Sequence, residues 1–195
     1  EGWSAVVALV SSGLIDYADF RFVPARDDKC GLLSDVDSLC ERVKIALTRA
    51  DLVVVDFGDI TRLDDMKASL SDRAYSAHKV RALRGLDRLV GNVGAGKVGL
   101  VLVSFSPPAG GDWDHLTPIA VRIHDYQNDL LTSPTTRTPG LVAASDFAPS
   151  VLRWMSVKPD PNMVGRAASD VYYRGSRFAA IHDMVDSAGI LNANG

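Results

Sequence analysis

Asp51-Leu52-Val53-Val54-Val55-Asp56-Phe57 is a run of branched and aromatic side chains closed off by acids. An apolar run of this length, without a polar residue at every second place, is the pattern of a strand covered on both faces. Val98-Gly99-Leu100-Val101-Leu102-Val103-Ser104 has the same character. Between the two, Tyr75, Leu83, Leu86, Val90 and Val93 line one side of a stretch from about Ser71 to Val93, which predicts a long helix. Strand, helix, strand in that order is a βαβ unit, expected to be parallel and right-handed. The fold class expected is therefore α/β, with a mostly parallel central sheet flanked by helices.

The flanks extend this pattern. Ser34-Asp-Val-Asp37 resembles a capping box with acids at the positive end of a helix, and Val36, Leu39, Cys40, Val43 and Leu47 follow at helical spacing. Pro118 to Ile123 reads as a further strand, and Phe178, Ile181, His182 and Val185 as a final amphipathic helix. No repeat and no long linker interrupts the chain, so residues 1–195 are expected to form one domain.

Composition sets the bounds. A 47% hydrophobic, 23% charged chain can bury a core. A net charge of −3 and a pI near 5.8 argue against nucleic acid as a partner, since that needs concentrated Lys and Arg. No apolar run approaches the roughly 18 residues of a membrane span. Ala5-Val-Val-Ala-Leu-Val10 is too short to span and lacks the basic leader of a signal peptide. A chain starting at Glu1 without Met is expected to be a processed or excised piece.

Leu131-Thr-Ser-Pro-Thr-Thr-Arg-Thr-Pro-Gly-Leu-Val-Ala-Ala-Ser-Asp-Phe-Ala-Pro-Ser-Val-Leu152 joins a hydroxyl-rich loop to a short apolar run and a helix start. Pro134 and Pro139 stiffen the loop. Thr132, Ser133, Thr135, Thr136 and Arg137 offer hydroxyls and a guanidinium that suit capture of a small anionic ligand, phosphate or a carboxylate. The alternative is a braced loop whose hydroxyls bond their own backbone. Leu141 to Ala144 reads as a short strand, and Asp146 sits where a helix N-cap belongs.

This segment resembles the C-terminal part of the alkaline phosphatase superfamily, which includes sulfatases, phosphodiesterases and cofactor-independent phosphoglycerate mutases. The match is Asp146-Phe-Ala-Pro149-Ser-Val-Leu152 followed by Val157 to Gly165, and it extends over roughly residues 50–166. The resemblance implies two metal-binding strand ends, and here both depart from the pattern. Asp59 lies where a metal-ligating Asp falls, yet Leu63 stands in place of the His four residues later. Asp64 and Asp65 carry hard oxygens but belong to a different arrangement; alternatively these acids cap a helix and pair with Arg62. After the second strand, Ser106 and Pro107 replace an Asp-His pair, and proline has no ligand atom. Asp112-Trp-Asp-His115-Leu-Thr-Pro118 resembles the stretch with the last metal His, so the implied metal residues reduce to Asp59 and His115. Two ligands do not make a catalytic zinc site, which wants three and an open position. The superfamily's nucleophile belongs to a part of the domain outside this resemblance.

Other signals are weaker. Gly91-Asn-Val-Gly-Ala-Gly96-Lys97 has the letters of a phosphate-binding loop, but it follows a helix, precedes a strand, and has Val98 where a magnesium-binding hydroxyl belongs. Those glycines are expected to end the helix. Cys30 and Cys40 cannot make a four-ligand zinc site alone; they either pair, in an exported protein, or stay as buried free thiols. His78 and His182 fall in helices and His124 after a strand. The expectation is a non-catalytic or metal-independent module of a larger, envelope-associated or membrane-anchored protein, with no cofactor. The alternative is a phosphoric or sulfuric ester hydrolase or mutase using zinc or manganese, with its nucleophile in an upstream segment. Compartment and substrate are not fixed by the sequence.

Overall fold

The computed structural model describes residues 18–94, 98–105, 116–123 and 129–193. The chain divides into two compact units that meet in sequence at Val98 and Gly99.

The first unit is helical. Asp35 caps α1 (Val36–Leu47), its carboxylate accepting from the Ser38 backbone N–H at 3.1 Å. The cap is thus one residue later than the expected Ser34. Cys40 and Val43 on its apolar face are buried, as the spacing predicts. The short α2 (Asp59–Asp65) buries Leu63 and Asp59. A 3-10 turn (Lys67–Ser69) leads to α3 (Asp72–Gly94), the long helix expected from the sequence. The Ser71 hydroxyl accepts from the Ala74 N–H at its start. The inward face of α3 carries Ala82 and Leu89, with Gly85 between them. A Cβ on Gly85 would lie 3.2 Å from Val36 Cγ2 and 3.4 Å from Phe57 Cζ, so the absent side chain lets α1 approach closely.

The second unit has little regular structure. β1 (Leu100–Val103) pairs antiparallel with β2 (Ile119–Arg122), and β3 (Asp129–Thr132) pairs antiparallel with β4 (Ser169–Tyr172). A 3-10 turn (Ala144–Asp146) runs into α4 (Phe147–Trp154), and α5 (Arg177–Ala193) follows β4. Phe147 is buried and meets Phe105 edge-on, with ring centroids 4.9 Å apart.

The expected mostly parallel central sheet is overturned. Among the described residues the strands form two separate antiparallel pairs, and no βαβ unit exists. The segment expected as its first strand, 51–57, has no ladder, and Leu52, Val54 and Val55 are exposed. An apolar run becomes a doubly covered strand only when neighbours hydrogen-bond both edges and layers cover both faces. Here only Val53 and Phe57 are half-buried. The second expected strand forms over Leu100–Val103, but its partner is the antiparallel β2. Leu141–Ala143 is irregular rather than a strand. The final helix is present, yet Phe178, Ile181 and Val185 on it are exposed.

Candidate functional site

In the first unit, the loop between Pro24 and Ser34 closes on itself. Those two residues form an antiparallel bridge, with Ala25 N–H donating to the Leu33 carbonyl at 2.8 Å and Asp35 N–H to the Val23 carbonyl at 2.8 Å. Gly31 takes φ +67°, a left-handed turn that an L side chain rarely adopts. Two carboxylates fasten the loop. Asp28 Oδ2 accepts from the N–H groups of Leu32 at 2.7 Å and Leu33 at 2.8 Å. Asp59 Oδ2 accepts from Ser34 N–H at 2.9 Å, and its Oδ1 from the Ser34 hydroxyl and Arg62, both at 2.5 Å. Arg62 also donates through Nε to the Leu32 carbonyl at 3.0 Å and stacks over Phe22 at 4.2 Å. The loop is pinned at both ends.

Pinning fixes what stands at its tip. Cys30 is exposed, beside the buried Asp28 and the half-buried His78 of α3. Asp28 Oδ1, a carboxylate oxygen not engaged by Leu32 or Leu33, faces His78 Nε2 at 3.3 Å. His78 Nδ1 lies 2.9 Å from the carbonyl of Ala74, one turn earlier on the same helix. The ligand atoms of Asp28, Cys30 and His78 all lie within 4.8 Å of one another. Burial opposes the Asp28 charge, but the N–H groups of Leu33, Leu32 and Cys30 and the nearby His78 outweigh it and hold its pKa below the usual carboxylate range.

Sequence reasoning did not assemble this group, because Asp28 and His78 are fifty positions apart and a lone helical His carries no signal. The one legible hint was an Asp and a Cys two residues apart in a loop ahead of a helix. Cys40 is buried as expected and Cys30 is not; the two thiols are unpaired. Of the metal residues implied by resemblance, Asp59 is fully buried and held by Ser34 and Arg62. His115, Ser106, Pro107 and His124 lie outside the described residues. Asp64 accepts from the Tyr75 hydroxyl at 2.5 Å, tying α2 to α3.

In the second unit the hydroxyl-rich loop gathers around a buried carboxylate. Asp146 is expected to cap a helix, but its side chain makes no cap bond to α4. Its Oδ1 instead accepts from the Thr135 hydroxyl at 2.9 Å and the Arg166 N–H at 2.8 Å. The backbone explains the change: Asp146 closes a 3-10 turn in helical conformation, so its side chain points away from the first N–H groups of α4. Burial raises its pKa, yet Ser133, the Arg166 N–H, Thr135 and Ser145 bring it below the ordinary range. Thr132 and Thr136 hydroxyls donate to the carbonyls of Thr138 at 3.2 Å and Leu141 at 2.6 Å. Ser133 is buried and its hydroxyl meets that of Thr136 at 3.3 Å. Arg137 is exposed, with φ +54°. The loop's hydroxyls thus converge on a carboxylate and carbonyls of their own chain. Gly165 completes the arrangement: at φ +93° a Cβ there would lie 2.0 Å from the Ser145 carbonyl oxygen.

No protein-family model, no curated protein and no solved structure matches this chain. Among the described residues, no helix is long and apolar enough to cross a membrane.

Proposed function

We propose that this chain acts as a non-catalytic binding or structural module of a larger protein. The observation that carries the reading is the state of Asp59. Both of its oxygens are taken by Ser34 and Arg62 inside the fold. A carboxylate neutralised by a guanidinium and buried this way stabilises its own loop and is poorly placed to ligate a catalytic metal. The reading does not require the parallel sheet of the alkaline phosphatase superfamily. It draws further support from the exposed apolar side chains of Leu52, Val54 and Val55, a cluster suited to burial against other protein.

The test is turnover of generic phosphate and sulfate monoesters by the intact parent protein, with zinc or manganese supplied, comparing wild type with Asp59→Asn. No Asp59-dependent turnover is the expected result. Hydrolysis abolished by Asp59→Asn, with an unchanged circular dichroism spectrum, would replace this reading with an ester hydrolase. The binding half is checked separately by hydrogen exchange. Amides of residues 52–55 are expected to exchange more slowly in the parent protein than in the isolated chain, and equal rates would remove it.

A further inference from the structure

The tip of the Pro24–Ser34 loop and the facing α3 bring three different donor types close together: a carboxylate oxygen and a thiol sulfur from the loop, and an imidazole nitrogen from the helix. We propose that Asp28, Cys30 and His78 form a binding site for a divalent transition-metal ion of zinc-like preference, with its remaining coordination position open to solvent.

Geometry supplies the first argument. Asp28 Oδ1 and His78 Nε2 are 3.3 Å apart. Two ligand atoms bound at about 2.0 Å around a tetrahedral centre are separated by roughly 3.3 Å, so this pair already has the spacing of one tetrahedral edge. Cys30 Sγ lies within 4.8 Å of a ligand atom of each of these two residues, and Cys30 is exposed.

Proton placement supplies the second. The Ala74 carbonyl can only accept, so His78 Nδ1 must carry a hydrogen. In the neutral ring that leaves a lone pair on Nε2, aimed at a carboxylate oxygen. An imidazole whose outer N–H is held by a backbone carbonyl is also the usual support for a metal-ligating histidine. Asp28 is supported in the same way: the N–H groups of Leu32 and Leu33 hold Oδ2 and turn Oδ1 toward the site.

A cysteine nucleophile activated by His78 fits less well. That arrangement needs the acid on the ring nitrogen opposite the one serving the thiol. Here Asp28 is beside Nε2, and the other nitrogen faces a carbonyl.

Charge balances with one opposing group. One carboxylate and one thiolate neutralise a dication. Arg81 Nη1 lies 3.9 Å from Asp28 Oδ1 and repels a cation there, although its Nη2 is paired with Asp27 at 2.9 Å. Removing the guanidinium should therefore tighten metal binding, an effect opposite in sign to that of removing a ligand.

Cobalt(II) titrated into the reduced full chain tests the site, because a thiolate ligand gives a charge-transfer band in the near ultraviolet. The chain has two cysteines, so the band can be assigned by substitution. The expected result is one equivalent bound with roughly micromolar or tighter affinity, and displacement of the band by zinc. Cys30→Ser should abolish the band, and Cys40→Ala should leave it. His78→Gln should weaken binding at least tenfold, no less than the roughly 10–100-fold that loss of a mere supporting partner costs. Arg81→Gln should strengthen it. In the unsubstituted protein, zinc should also slow alkylation of Cys30, a readout that needs no variant to fold. Absence of the band, a band that survives Cys30→Ser, or alkylation of Cys30 at the same rate with and without zinc would each overturn the proposal.

Discussion

Asp146 has no exposed surface, yet the donors reaching its Oδ1, with Ser133 and Ser145 nearby, hold its pKa below the ordinary carboxylate range. Its folded pKa is lower than its unfolded one, near 3.9. The sign follows from that difference. Its stabilisation is fully present above the unfolded value and is lost as pH falls through the folded value. Asp146→Asn keeps the shape but removes the charge from two good donors, Thr135 and the Arg166 N–H. The substitution is expected to destabilise the second unit by about 2–4 kcal/mol at pH 7, since hydrogen bonds to a charged group each contribute about 1.5–3 kcal/mol. It should also flatten the loss of stability that wild type shows as pH falls below the unfolded carboxylate value. Urea unfolding at a series of pH values checks both. An unchanged acid limb in Asp146→Asn would mean that another carboxylate governs it. Asp129 is not that group. Burial, with the Asp170 carboxylate beside it, pushes its pKa up, so its contribution runs in the opposite direction and fades as pH rises.

The packing of α3 on α1 runs through small side chains. Ala82 and Gly85 lie between His78 and Leu89 on one face, and Leu89 is the large apolar residue buried there. Leu89→Ala is expected to cost about 2–4 kcal/mol through lost transfer energy and a residual cavity. Leu83→Ala, on the exposed side, should cost under about 0.5 kcal/mol. Thermal unfolding of both variants decides this; equal losses would place the interface elsewhere. The same helix shows what the sequence could and could not tell. Its existence and limits were legible because a 3.6-residue period sustained over 23 residues fits a helix and does not fit a strand. Its face was legible only in part, since Leu83 reads as core while Ala82 and Gly85, which carry almost no apolar signal, do the close packing. The strands were harder. Val53 to Val55 state a preference for extended backbone, but a preference does not name a pairing partner. The candidate metal ligands were hidden for a related reason: only the closure of the Pro24–Ser34 loop against α3 brings Cys30 to His78.

Among the described residues, buried apolar side chains are unevenly shared between the two units. The first unit buries Leu32, Leu33, Cys40, Val43, Leu63, Ala82 and Leu89, while the second buries Leu130, Phe147 and Ala168. Apolar burial contributes roughly 25 cal/mol per Å², and a fully buried leucine about 1.5–3 kcal/mol. The second unit relies more on polar anchors, Asp146 and Ser150, whose net contributions are smaller because water competes for the same bonds. Two units with unequal cores need not open together. Native-state hydrogen exchange is therefore expected to show amides of residues 82–89 in α3 at least tenfold slower than those of residues 129–132 in β3. Added denaturant should release the β3 amides first, with α3 still protected. If both sets exchange at one rate and respond to denaturant with one slope, the chain opens as a single cooperative body, and the difference in buried side chains does not set its order of unfolding.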